Sequence, residues 1–288
     1  MPSSPEPQES SRPPALFVPV DAAGAGPGDW WSATEFARGP WDPAHCHGGP
    51  VSAMLARACE QIESPDVDWV ITRLTVELTR PVPVGRPLRL AAEVERPGRK
   101  VSVVAASLND VDGIEVAKVR ALRVRRRDFP LPIHPTAPPS LTGDAQDAPR
   151  VLMSWATDGD QVAFHSHSAE HRVVAGSWDE PGPMSLWVRL TTVLVEGEPL
   201  SGVQRAVAAA DFGNGVSSAI DYERFLFINP DLTVHLARPP VGEWIGMVSH
   251  SRYGTDTDSS GAGFAESELY DADGRVGRSV QSLFVEPR

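Results

Sequence analysis

Hydrophobic and polar residues alternate along this chain in runs that appear twice. Residues 74–85 read LTVELTRPVPVG, and residues 232–242 read LTVHLARPPVG. After the first come RPLRLAAEVERPGRK and KVSVVAASLND, an Asp112-Gly113 pair, and IEVAKVRALRV. After the second come EWIGMVSHSRYG and GAGFAESELYD, an Asp273-Gly274 pair, and RVGRSVQSLFV. The segments LTVELT, LRLAAEVE and VSVVAAS alternate with period two, which places successive side chains on opposite faces of a strand. Asp-Gly between two such segments is a strong hairpin signal, because it supplies the positive φ that tight turns require. Each copy therefore predicts a meander of long antiparallel strands.

A helical pattern precedes each meander. In GGPVSAMLARACEQIE, residues 48–63, the apolar stripe Val51, Met54, Leu55, Ala58 and Ile62 follows the helical period. Pro50 stands at the helix start, where its missing N–H costs nothing. The second helix is predicted from about Leu200 through LSGVQRAVAAADFGNGVSSAIDYE, with Val203, Val207 and Ala210 repeating and Gly213 and Gly215 predicting a kink or loosening. A helix followed by a curved antiparallel sheet, written twice, predicts an α+β chain in which each sheet wraps an apolar helix. The expected boundaries are a tail at 1–14, a first unit at 15–127, a linker at 128–150 and a second unit at 151–288. The prolines of the linker forbid a central strand or a continuous helix.

Composition narrows the partners. With 288 residues, 41% hydrophobic and 22% charged, the chain is globular and can bury a substantial core. A net charge of −12 argues against a nucleic-acid partner. The cationic run Arg120 to Arg127 is either a strand whose alternate arginines face solvent or a basic rim for a phosphorylated ligand. No apolar run reaches the roughly 18 residues of a membrane span. The opening MPSSPEPQESSRPP has no secretory pattern and the composition of a disordered tail. Cys46 and Cys59 form neither a CxxC pair nor a disulfide framework. A reduced, cytoplasmic compartment is the simplest expectation.

Several residues invite a chemical reading. HSHSAEH, His165 to His171, brings imidazoles close in sequence, but on an expected first strand they serve packing better than a metal, which wants three or four converging ligands. His45 and His47 flank Cys46 at the mouth of the first helix, where capping or gating suits them. No Gly-x-Ser-x-Gly elbow is present, and neither cysteine has a nucleophile's context. WSATEFARGPW, residues 31–41, and Trp30, Trp31, Trp178 and Trp187 are expected in packing and in the lining of an acyl tunnel.

The segments RGPWDPAHCHGGPVSAML, LTVELTRPVPVG, ADFGNGVSSAID, INPDLTVHLARPPVGEWIG and GRVGRSVQSLFV, taken in order, resemble the tandem acyl-CoA thioesterase family typified by bacterial thioesterase II. The resemblance covers nearly the whole chain after the tail. It implies a double-hotdog fold, acyl-CoA as substrate, no cofactor or metal, and self-association of double-hotdog units. It also implies an active site in the second copy, made of an Asp on the central helix, a Thr or Ser before the following strand, and a Gln on the last strand. These fall on Asp211, Asn229 and Gln281, and Asn229 departs from the family's hydroxyl. Aligning the copies on LTV sets Ile71 opposite Asn229. Aligning them on the Asp-Gly turns sets Arg120 opposite Gln281. The first copy thus lacks the polar set.

On that reading Asp211 is a general base for water that Asn229 and Gln281 hold, or it attacks directly to form an anhydride. The Gly48-Gly49 pair, with His47 beside it, is the expected substrate-binding element, its backbone N–H groups serving as oxyanion donors at a helix N-terminus. The structural alternatives are a helix-end residue at Asp211, a cross-strand partner at Gln281, a turn residue at Asn229 before Pro230, and an Asp231–Arg238 pair along a strand. The functional alternatives are a hotdog hydratase, a protein that binds or handles an acyl-thioester without hydrolysing it, and a non-catalytic module. Hydration usually pairs an Asp with a His on one helix motif, and ADFGNGVSSAID has no His.

Overall fold

The repeated Leu-Thr-Val triplets pair with each other at the centre of the molecule. Strand β3 (Trp69–Glu77) runs antiparallel to β10 (Asp231–Leu236), with Leu74 opposite Val234, Thr75 opposite Thr233 and Val76 opposite Leu232. The Thr233 hydroxyl reaches that of Thr75 at 3.4 Å. In the computed structural model, the described residues are 15–21, 30–64, 66–130, 141, 143–151, 161–178, 180–255 and 258–288. The tail at 1–14 and much of the 128–150 linker lie outside them.

From that seam the sheet extends symmetrically. On one side stand β6 (Glu115–Arg125), β5 (Val101–Asn109), β4 (Pro87–Arg96), β2 (Trp30–Ala33) and β1 (Phe17–Pro19). On the other stand β13 (Gly274–Pro287), β12 (Asp258–Asp271), β11 (Trp244–Thr255), β8 (Met184–Leu190) and β7 (Ala169–Ala175). A short strand, β9 (Phe225–Ile228), pairs with the far end of β13. The two copies thus build one continuous sheet, mirrored in strand order about β3 and β10.

Two helices fill its inner face. Helix α1 (Gly48–Glu60) packs on β3 to β6, and α2 (Gly202–Ala210) packs on β8, β10, β11 and β12. The helices touch along their length and run antiparallel, since Gly49 faces the Ala208 carbonyl while Glu60 reaches Ser201 and Gln204. Of the stripe expected on α1, Val51, Met54, Leu55 and Ala58 are buried, while Ile62 falls past the helix end and is half-buried; Val203, Val207 and Ala210 of α2 are buried too. Alternate residues of the strands, such as Leu232, Val234 and Leu236, close the same core from the sheet side. Each such aliphatic side chain contributes about 1.5–3 kcal/mol by leaving water.

Several expectations need correction. The second helix is shorter than its Ala-rich sequence suggested. It stops at Ala210 and restarts as a single turn, α3 (Gly213–Val216), so the break falls at Asp211-Phe212. HSHSAEH does not begin a strand. Phe164–Ser168 form a π-helical turn, and β7 starts only at Ala169. Among the described residues, no group of three His, Cys, Asp or Glu side chains converges as a metal site would.

The arginine run on β6 does not simply face solvent. Arg120 is exposed and paired with Glu95, but Arg123 is buried, stacked over Trp69 and donating to the Ile62 carbonyl. Arg238 pairs with Asp271 rather than Asp231, whose carboxylate accepts from the Ser282 N–H instead. No described helix is long and apolar enough to cross a membrane.

Candidate active site

The break between α2 and α3 turns Asp211 into the centre of a buried polar cluster. As the C-cap of α2 it sits beside the N-terminus of the antiparallel α1 and is only 3% exposed. A carboxylate at that point feels the positive end of the α1 dipole. Its Oδ1 accepts from Asn229 Nδ2 at 2.8 Å and from Gln281 Nε2 at 3.4 Å. Its Oδ2 lies 2.8 Å from His47 Nδ1.

Two backbone N–H groups fix the orientation of the amides. Asn214 N–H donates to Gln281 Oε1, so the Gln281 NH2 must face Asp211, where it also reaches the backbone carbonyl at 3.2 Å. Gly215 N–H donates to Asn214 Oδ1, which turns the Asn214 NH2 to Asn229 Oδ1 and the Asn229 NH2 to Asp211. The Asn229 and Gln281 donor ends thus converge on one carboxylate, with Asn214 behind Asn229. Gly213 makes this possible, because a Cβ there would stand 2.8 Å from Gln281 Oε1.

The chain elements that supply these groups come from both copies. Gln281 projects inward from β13, and Asn229 occupies the gap between β9 and β10. His47 and Gly48 open α1. A Cβ on Gly48 would lie 2.8 Å from both oxygens of Asp211 and from Leu78 Cδ1, so only glycine lets helix and carboxylate approach this closely. His47 caps α1, its Nδ1 positioned to accept from Gly49 N–H at 3.1 Å. Its ring packs against Phe164 and Phe212.

A cavity of 1580 Å³ opens onto this cluster, lined by His47, Gly48, Asp211, Asn214 and Asn229 at its polar end. Val51, Leu78, Trp178, Met184, Phe212 and Phe227 give it apolar walls, and Trp41, Arg80 and Arg288 line it as well. Gly48 lines the cavity; Gly49 faces α2 instead and does not. Of the tryptophans expected in packing and tunnel lining, Trp41 and Trp178 line the cavity and Trp31 and Trp187 are packed elsewhere. Trp31 lies under Arg57, and Trp187 packs with Ala145 and Tyr270. The Arg120–Arg127 run does not line the cavity.

The thiols are poor nucleophiles. Burial pushes both Cys46 and Cys59 up to about 12, so each stays protonated near neutral pH. Behind Phe212, burial pushes His165 and His171 down to about 3, helped by their proximity to His47, which leaves both neutral.

The cluster brings together Asp211, Asn229, Gln281, His47 and Gly48, and leaves Gly49 to one side. Sequence reasoning missed Asn214 and the contact between His47 and Asp211. Asn214 is flanked by glycines in ADFGNG, a pattern that reads as a helix break but is also where a side chain can turn back on a nearby carboxylate.

Comparison with known proteins accounts for the duplicated sheet and the pair of helices. The family described as acyl-CoA thioesterase N-terminal domain matches residues 37–124, and that described as acyl-CoA thioesterase C-terminal domain matches residues 139–285. The chain belongs to the acyl-CoA thioesterase family. It is a thioester hydrolase of the double-hotdog fold.

Among solved structures, a hot dog fold protein of unknown function from Alicyclobacillus acidocaldarius superposes with a TM-score of 0.67 at 17% identity, covering 90% of this chain and 94% of that one. A putative thioesterase from Novosphingobium aromaticivorans gives 0.64 at 20%, covering 89% and 95%. An acyl-CoA thioesterase II from Mycobacterium marinum gives 0.60 at 14%, covering 90% and 94%. At these identities the likeness is one of fold. No curated protein matches in sequence.

Proposed function

We propose that this acyl-CoA thioesterase family member hydrolyses an acyl-CoA through water activated by Asp211, releasing the free acid and CoA. The observation that carries the reading is a buried carboxylate on the cavity wall, held by Asn229, Gln281 and His47 and adjacent to the first backbone N–H of α1. Hydrolysis needs a base for water and a donor for the oxyanion. Asp211 supplies the first. Gly48 N–H suits the second, because it lines the cavity and no described residue accepts from it. The Pro50 ring removes a third N–H from that helix end, and Gly49 N–H is directed at His47.

Attack of water on the thioester carbon passes its proton to Asp211, and the Gly48 N–H stabilises the oxyanion. Collapse then expels the thiolate, which takes the proton back. Asn229 fits this scheme as an orienting donor rather than as the hydroxyl the family resemblance called for.

One observation favours a second reading. His47 supplies from α1 the Asp–His partnership whose absence from ADFGNG argued against hydration of an enoyl-CoA. Thiol release over a panel of acyl-CoA chain lengths, run beside loss of enoyl absorbance, separates the two. Thiol release that falls by about 10³-fold in Asp211→Asn is the expected outcome. Full activity of Asp211→Asn on every active substrate would sink the assignment.

A further inference from the structure

His47 Nδ1 lies within hydrogen-bond distance of two groups that make incompatible demands on it. Gly49 N–H, 3.1 Å away, needs an acceptor. Asp211 Oδ2, 2.8 Å away, is itself an acceptor when ionised. An imidazole nitrogen has either one in-plane lone pair or one proton, so it can serve only one of these partners at a time. The other oxygen of Asp211 cannot relieve the conflict, because Asn229 Nδ2 and Gln281 Nε2 both donate to it, and their orientations are fixed by the backbone N–H groups of Asn214 and Gly215.

We infer that His47 is a positioning residue for the hydrolytic reaction, carrying a proton on Nδ1 that holds the Asp211 carboxylate in place at the expense of its cap on α1. An ionised Asp211 with a bare Nδ1 would set two lone pairs 2.8 Å apart, so the working carboxylate requires Nδ1–H. The helix gives up one N-terminal hydrogen bond to orient its neighbour's base.

The ring is held for this task. Phe164 and Phe212 pack on it at 5.1 and 4.8 Å between centroids, and its side chain is 11% exposed. Among the titratable groups around it besides Asp211, Cys46 stays protonated and burial keeps His165 and His171 neutral, so none of them competes as a cation for the carboxylate. Sequence reading placed His47 at the substrate and the helix mouth, and it lines the cavity and caps α1; the geometry adds its contact with the carboxylate.

The kinetic part of this inference rests on the hydrolytic reading; the proton position does not. Selective 15N labelling of histidine in the full chain reads the protonated nitrogen of His47 directly. A proton on Nδ1 is expected in the unaltered protein. In Asp211→Asn, the donors Asn229 and Gln281 claim the new carbonyl oxygen, which turns the new NH2 toward His47 and should move the imidazole proton to Nε2. A bare Nδ1 in the unaltered protein, or an unmoved proton in Asp211→Asn, would overturn the proposal whatever the enzyme's substrate.

The kinetic arm uses His47→Asn, since Asn is among the best helix caps and can take over Gly49 N–H. If capping were the only role, this variant would keep its turnover. The expected result is a thermal midpoint at least as high as before, an unchanged KM and a kcat lower by roughly tenfold or more, the signature of lost orientation rather than lost binding. An unchanged kcat overturns the positioning role. Absence of hydrolysis by the unaltered protein would remove the proposed function and leave the proton measurement standing.

Discussion

The two ends of the α1–α2 pair carry carboxylates in comparable places and use them for different ends. At one end Asp211, the C-cap of α2, meets the N-terminus of α1 and faces a cavity. At the other end Glu60, the last residue of α1, meets the N-terminus of α2, where it accepts from Ser201 Oγ at 2.9 Å and Gln204 Nε2 at 2.8 Å. Beside it Arg57 holds Glu198 with two hydrogen bonds of 2.6 Å and stacks on Trp31.

Glu60 is an exposed residue, yet partial loss of solvation where its carboxyl meets α2 raises its pKa despite the two hydrogen bonds. The difference lies in what surrounds the acid. A glycine and a cavity beside Asp211 leave room for a substrate; a serine, a glutamine and an ion pair beside Glu60 leave room only for a joint between the copies.

The same amide substitution at each end breaks this comparison most directly. Asp211→Asn is expected to cost about 10³-fold in turnover while leaving stability within about 1 kcal/mol. Glu60→Gln keeps an acceptor for Ser201 and Gln204 and removes a charge that burial disfavours. It should leave turnover unchanged and match or slightly exceed the parent in urea at high pH. The sign follows from linkage: a carboxyl whose pKa is higher folded than unfolded loses stabilising effect as pH rises between the two values, and the amide has none to lose. Equal losses of turnover in both variants would erase the distinction.

Gly48→Ala should be next in size. The added methyl forces the carboxylate away from α1, and thiol release should fall by about 10²-fold. Because alanine is the better helix former, the thermal midpoint need not fall with it. Arg57→Ala attacks the other end, with an expected loss of about 2 kcal/mol in urea unfolding and normal turnover below the transition.

The last effect, invisible near neutral pH and confined to acid, belongs to the aromatic wall behind the site. His165 and His171 are held at about 3 by burial, against about 6.5 in an unfolded chain. Their contribution is complete above the unfolded value and is lost progressively as pH falls from about 6.5 toward 3, since the unfolded chain then binds the extra protons. His171→Phe, which keeps a ring between Phe212 and Trp178, should flatten the acid side of the stability curve.

The meander, the helices and their duplication were legible because period-two and helical patterns register burial on one face, and here the core has one inner face throughout. Registration between the copies was less secure. The Asp-Gly turns set Arg120 opposite Gln281, but strand pairing places Thr75 against Arg120 and Leu74 against Ala121, while Thr233 meets Val280. Ala121 is therefore the inward counterpart of Gln281. Both hairpins carry the same irregularity, after Leu108 and after Leu269, so it cancels. The turn itself differs, with five residues between Asn109 and Glu115 against four between Tyr270 and Arg275, and a shift of one residue in a strand exchanges its faces. The first copy still lacks the polar set, with alanine in place of the amide.

Asp211 and Gln281 were found through family motifs. Asn214 was not, because its role is to orient other amides, a task that leaves no periodic mark. The His47–Asp211 contact spans more than 160 positions and is made by the antiparallel meeting of two helices, which no local pattern encodes.

The self-paired Leu-Thr-Val seam has a consequence for biosynthesis. While the ribosome is still adding the second copy, β3 has no neighbour on its outer edge, and it keeps that bare edge until β10 arrives, itself needing β13 from the last residues of the chain. Such an edge invites any strand of matching pattern. The best match in a crowded polysome is the β3 of another nascent chain, whose Leu-Thr-Val can lie across it just as residues 232–234 do in the finished protein. Rapid completion of translation therefore protects this molecule from pairing with its own unfinished copies.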